Sequence, residues 1–137
     1  MQRLPNNPDL EKLQDVFQRF PGVEAVFVFG STDTAREHQE SDLDLGVDGA
    51  IHYLRAQRLT MLTELARIGF GRVDLVFLRE APPALAHQIV KNNHVIYRRE
   101  DVDIGTIFSN VVRRFLDFRP YLRYQAQAYK ERVLNMV

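Results

Sequence analysis

Apolar residues in this chain follow two rhythms, and their alternation lays out the fold. Leu10, Leu13, Val16, Phe17 and Phe20 recur at helical spacing behind Asn7-Pro8-Asp9. Asn7 suits a cap, Pro8 the first helical position, and Asp9 and Glu11 the positive end of the dipole. Pro21-Gly22 stops the helix. Residues 24–29 (EAVFVF) form a short β-branched and aromatic run bounded by glycines. That pattern predicts a central strand buried on both faces. In residues 42–47 (DLDLGV) polar and apolar positions alternate, so Asp42 and Asp44 share one face of a strand and Leu43 and Leu45 the other. Gly46 and Asp48-Gly49 close it. A stripe of Leu54, Met61, Leu62, Leu65 and Ile68 predicts a helix over 53–69, ended by Gly69 and Gly71.

Residues 72–78 (RVDLVFL) predict a third strand, with Asp74 and Val76 on one face. Ala81-Pro82-Pro83 opens a short helix to about Lys91, Asn92-Asn93 turns, and residues 94–98 (HVIYR) read as an edge strand. From Asp103 the stripe Ile104, Ile107, Phe108, Val111, Val112, Phe115 and Leu116 is helical, and Pro120 breaks or kinks it. A last segment carries Tyr121, Leu122, Tyr124, Tyr129 and Val133. Thr34 and Glu37 have capping-box spacing, which predicts a short helix at 33–39. The order of elements predicts an α+β fold. Its small mixed sheet of about four strands carries helices mainly on one face, leaves the other open for a ligand, and is followed by a helical C-terminal tail. Residues 1–137 read as one domain.

Composition narrows the function. Lys+Arg and Asp+Glu balance at 18 each, which argues against charge-driven nucleic-acid binding. With no cysteine there is neither a disulfide framework nor a thiolate metal site. The start MQRLPNNPDL lacks the apolar core of a signal peptide, and no apolar run reaches the roughly 18 residues of a membrane span, so the expected location is the cytoplasm. The charge is unevenly spread. Asp33, Glu37, Glu40, Asp42, Asp44 and Asp48 face only Arg36 in residues 33–48, whereas the tail holds Arg98, Arg99, Arg113, Arg114, Arg119, Arg123, Lys130 and Arg132. An acidic centre with a basic flank suits a metal-bound polyanion; two solvated faces give the same pattern.

The candidate chemistry lies in the acidic centre. Residues i and i+2 of a strand are about 6.5–7 Å apart, so Asp42 and Asp44 can lean onto ions between them. Were the third strand to pair beside the second, Asp74 would join them. Three such carboxylates repel unless neutralised. Hard oxygen ligands without His or Cys select Mg²⁺ or Mn²⁺. Two such ions about 3.5–4 Å apart clamp the attacking and leaving oxygens of an in-line phosphoryl displacement. Gly30 allows close approach to a phosphate, and the Ser31 hydroxyl with the following N–H groups can hold triphosphate oxygens. Arg36 is the one basic residue of that loop. His38, His52, His87 and His94 lack ligand spacing.

Gly30-Ser31 after a buried strand, ten residues, Asp42-Leu43-Asp44 and then Asp74 together resemble the polymerase-beta-like nucleotidyltransferase superfamily. The short length resembles its minimal nucleotidyltransferases (MNT). The tail FLDFRPYLRYQ (115–125) looks like the end of MNT proteins encoded beside HEPN toxins. The resemblance implies a palm-like fold and an antitoxin that moves AMP from ATP to a tyrosine of a HEPN ribonuclease, in a hetero-oligomer with that toxin. It implies two Mg²⁺ ions held by Asp42, Asp44 and Asp74, and a triphosphate gripped at Gly30 and Ser31. The loop departs from relatives that read like Arg-Ala-Arg-Gly: here it is Thr32-Asp33-Thr34-Ala35, then Arg36. Two other readings share the motif: a small-molecule nucleotidyltransferase of the aminoglycoside type, and an antitoxin that acts by contact alone.

Overall fold

A computed structural model describes residues 7–29 and 43–135. The elements run α1 (Asn7–Gln18), β1 (Val23–Phe29), β2 (Leu43–Gly49), α2 (Ile51–Arg67), β3 (Val73–Phe77), α3 (Pro83–Lys91), β4 (Val95–Arg98) and α4 (Ile104–Asn135). The expected short helix at 33–39 lies outside the described residues.

The four strands form one mixed sheet in the order β3-β2-β1-β4. β1 pairs antiparallel with β2 and β4, while β2 and β3 are parallel. A parallel pair needs a crossover, and α2 supplies it. β1 lies centrally and β4 at an edge, as the sequence predicts. Asn93, at φ 54°, takes the left-handed turn between α3 and β4, which asparagine tolerates. Gly69, at φ 106°, reverses the chain after α2, the usual place for glycine beyond a helix end.

The α+β class, the mixed four-stranded sheet and the helical tail are all found, but the helices are distributed differently. Each face of the sheet carries a pair. Leu13, Val16 and Phe17 of α1 and Leu54, Met61 and Leu65 of α2 bury Val26, Val28, Leu45, Val47, Leu75 and Phe77. On the opposite face Ala86, Ile89 and Val90 of α3 and Ile107 and Val111 of α4 cover Ala25 and Phe27. The physical reason is β1 itself, whose unbroken apolar run has two faces to hide.

Two further expectations change. β2 does not end at Val47 but runs to Gly49, and Asp48 inside it is only 5% exposed. α4 continues as one helix through Pro120. Its proximal part is held to the body by Arg114, whose guanidinium donates to the carbonyls of Leu78 at 2.9 Å and Ala81 at 2.8 Å. His87 of α3 stacks on Phe115 of α4 with ring centroids 4.2 Å apart. Arg114 and His87 are therefore packing residues. Tyr124 and Tyr129 are exposed; the side chain of Tyr121 is outside the described set.

Candidate active site

β2 enters the sheet at Leu43, whose N–H donates to the Arg72 carbonyl at 2.9 Å. That bond sets the register of the parallel pair, in which Asp44 faces Asp74, Gly46 faces Val76 and Val47 faces Phe77. Across the antiparallel pair Asp44 faces Phe29, the last residue of β1. The end of β1, Asp44 and Asp74 thus form one row across three adjacent strands. Partners at the same level point to the same face, and neighbouring strands are about 4.8 Å apart. The carboxylates of Asp44 and Asp74 therefore stand side by side on the face shared with Gly46 and Val76.

The helices on this face reach as far as Phe29, the β1 member of the row, which is partly buried against the cluster of α3 and α4. α3 comes closest at Gly46, where an added Cβ would lie 2.8 Å from Cγ2 of Ile89. Gly46 is what lets α3 seat there. One step along the same face Asp44 is half-buried, and Asp74 is exposed. The covered part of the sheet holds the row rigidly, and the uncovered part leaves it open to a ligand.

Two like charges about 5 Å apart repel by about 1 kcal/mol in water and by several kcal/mol where water is excluded. A pair held in register on a rigid sheet suits a divalent cation, and its hard oxygen donors fit Mg²⁺ or Mn²⁺. Among the described residues no group of three or more His, Cys, Asp and Glu side chains is gathered in ligand geometry. Asp42, Gly30, Ser31 and Arg36 lie outside the described residues. The flanks of their segment are described: Phe29 on β1, opposite Asp44, and Leu43 on β2, one residue before it.

A second polar centre, which the sequence reading missed, lies at the other end of β2. A cleft of about 720 Å³ opens between the sheet and the start of α4, with Glu24, Asp48, Arg79, Arg99 and Asp103 in its wall. Arg79 Nε donates to Asp48 Oδ1 at 3.2 Å, and its Nη2 donates to Glu24 Oε2 at 2.9 Å. Burial pushes the Asp48 carboxyl above the ordinary aspartate value of 3.8, against the opposing hydrogen bond and charge of Arg79. Arg99 closes the rim on Asp101 at 2.6 Å and holds the Asp101 carboxyl below the ordinary range. The signal was the period of two, which puts Asp48 on the face of Asp44 and Gly46. This cluster ties β1, β2 and the turn after β3 together, four residues along β2 from the Asp44 row.

No helix among the described residues is long and apolar enough to cross a membrane.

Comparison with known proteins sets the row in context. The family model described as polymerase beta, nucleotidyltransferase, matches residues 11–102, a span that contains Asp42, Asp44 and Asp74. The protein adenylyltransferase MntA of Shewanella oneidensis is 29% identical over 103 residues, covering 75% of this chain and 72% of that protein. A crystal structure of a toxin–antitoxin with AMP-PNP shares the fold at TM-score 0.64 and 22% identity, over 92% of this chain and 98% of that one. The Shewanella oneidensis MNT antitoxin in complex with a tri-AMPylated HEPN toxin shares it at TM-score 0.56 and 19% identity, over 93% and 97% of the two chains. The match of the family model over most of the chain, with the carboxylate row inside it, shows that the chain belongs to the polymerase beta nucleotidyltransferase family.

Proposed function

We propose that this chain is an antitoxin that transfers AMP from ATP to a tyrosine hydroxyl of a HEPN ribonuclease toxin and thereby neutralises it. The observation that carries the reading is the in-register pair Asp44 and Asp74 beside the end of β1. The adenylyltransferase relative and the toxin-bound structural neighbours supply the nucleotide and the partner.

Asp42, Asp44 and Asp74 would hold Mg²⁺, with Mn²⁺ as a substitute. Bound there, the metal would supply charge neutralisation for the phosphoryl transfer. Gly30 and Ser31, which follow Phe29 directly in the sequence, would hold the triphosphate, with Arg36 as the loop's one Lys or Arg. The tyrosine oxygen forms a bond to the α-phosphorus, the bond to the α–β bridging oxygen breaks, and pyrophosphate leaves. The protein's contribution is positioning and fixed charge, since phosphoryl transfer asks for little covalent help. A chain that uses ATP and meets its toxin there belongs in the cytoplasm.

Incubation with the HEPN protein encoded beside this chain, ATP and Mg²⁺ tests the reading by intact mass. The toxin gains AMP on a tyrosine and loses ribonuclease activity. A toxin silenced with no change of mass would contradict it.

A further inference from the structure

β3 carries Asp74 and lies at one end of the sheet, with β2 as its single strand neighbour among the described residues. The direction of its backbone is set at both ends. The Arg72 carbonyl accepts from the Leu43 N–H, and the Leu78 N–H donates to the Val47 carbonyl, both at 2.9 Å. Main-chain groups alternate sides along a strand, so those of Asp74 and Val76 also face β2. Those of Val73, Leu75 and Phe77 face the free edge, where no strand meets them.

The Leu75 carbonyl has its partner on a helix. Arg58 of α2 donates to it from Nη2 at 3.1 Å. The same guanidinium lies over the Phe77 ring, 5.1 Å from its centroid, within cation–π range. The side chains of Leu75 and Phe77 are buried in the cluster that α1 and α2 form on the sheet. Arg58 therefore reaches from that face round to the edge and holds β3 through both residues. Arg55, on the preceding turn of α2, reaches past the end of the strand to Glu80 at 2.8 Å in an exposed pair. Leu75 adjoins Asp74, and Asp74 is in register with Asp44. A shift of the Leu75 peptide thus moves the Asp74 carboxylate relative to Asp44, and reactions that depend on positioning tolerate little displacement.

We infer that Arg58 is a positioning residue for AMP transfer: by holding the Leu75 carbonyl and the Phe77 ring it keeps the edge strand in place and Asp74 level with Asp44. The inference rests on the adenylyltransferase reading above. Arg58 acts through Asp74 and not on the nucleotide or the acceptor. It does for the outer side of β3 what a further strand would do, while leaving the face that carries Asp74 open.

The test is a double-mutant cycle on AMP transfer to the HEPN protein encoded beside this chain, with Arg58→Ala, Asp74→Asn and the double variant. Arg58→Lys and Arg55→Ala complete the set, and each chain is assayed well below its melting temperature. Arg58→Ala lowers kcat about tenfold, the low end for losing a group that orients a site carboxylate, and leaves KM for the toxin unchanged. In the Asp74→Asn background it costs nothing further. Lysine, which keeps a donor and the charge, restores part of the rate, and Arg55→Ala keeps all of it. Hydrogen exchange gives a reading without activity: in Arg58→Ala the amides of Asp74 and Val76 exchange faster, and those of β1 do not. Full kcat in Arg58→Ala overturns the inference, as do β3 amides that keep their protection. So does a loss that repeats in full in the Asp74→Asn background, or an equal loss in Arg55→Ala. Each of these leaves the proposed function intact. An unaltered chain that transfers no AMP overturns the proposed function and the inference with it.

Discussion

Arg79→Ala isolates the far end of β2. Asp48 has a side chain 7% exposed and, among the described residues, is paired with the Arg79 guanidinium at 3.2 Å. Removing one partner of a fully buried pair costs about 3–5 kcal/mol. Arg79 is 46% exposed, so water reaches the pair, and the expected cost is about 2 kcal/mol at neutral pH. With about 2.1 cal/mol/K per residue of unfolding entropy, that lowers the melting temperature by about 7 °C. The pH dependence has a defined sign. The folded Asp48 carboxyl binds its proton more tightly than an unfolded aspartate. Its contribution to stability is therefore present below the unfolded value of 3.8 and lost as pH rises through the raised folded value. Arg79 opposes that rise, so its removal drives the carboxyl higher still. The deficit of Arg79→Ala then shrinks between neutral and acidic pH, as the pH falls through the raised folded value. Asp48→Asn in the same background removes the charge and recovers about 1 kcal/mol. Urea melts of the three chains at both pH values provide the measurement. A deficit independent of pH, or no recovery with Asn, refutes the argument that an unpaired buried charge is the cause.

Other outcomes follow from the same structure. Asp74→Asn lowers the rate of AMP transfer about a hundredfold or more, comparable with losing one preorganised electrostatic group, while calorimetry shows an unchanged melting temperature because the side chain is exposed. Gly46→Val drives a side chain into Ile89, where even a Cβ would sit at 2.8 Å; overpacking costs about 1–3 kcal/mol in a denaturant melt and reduces transfer by displacing β2. Pro120→Ala restores a backbone donor inside α4 and raises far-UV helicity; the buried contacts of α4 are those of Ile107 and Val111 upstream, so the melting temperature stays within about 1 °C.

Much of the fold is legible in the sequence, because short apolar runs and helical stripes each have one good explanation. The strand spans of β1, β3 and β4 and the crossover helix were readable within two residues at either end. The pairing of β2 with β3, which brings Asp44 beside Asp74, was the condition on which the sequence reading joined the two carboxylates. The two-sided cover of the sheet was also present in the sequence, since a strand apolar on both faces cannot sit in a sheet open on one. Reading the carboxylates as the mark of an open face hid this: the face is covered at Gly46, half-covered at Asp44 and exposed at Asp74. Asp48 was misread because Asp-Gly is a turn signature. Its burial depends on Arg79, 31 residues away, and no local pattern reports such a partner. Pro120 was read as a breaker because local sterics favour an end there. A proline costs a helix one donor and a clash, yet α4 continues through Pro120.

The central claim is that neutralisation runs through the carboxylate row and not through contact alone. Co-expression of the HEPN toxin with this chain or with Asp44→Asn, scored by growth and by toxin mass, tests it directly. The account predicts that the unaltered chain restores growth and adds AMP. Asp44→Asn still co-purifies with the toxin but restores neither growth nor the added mass. Full neutralisation by Asp44→Asn, with no AMP on the toxin, would contradict it.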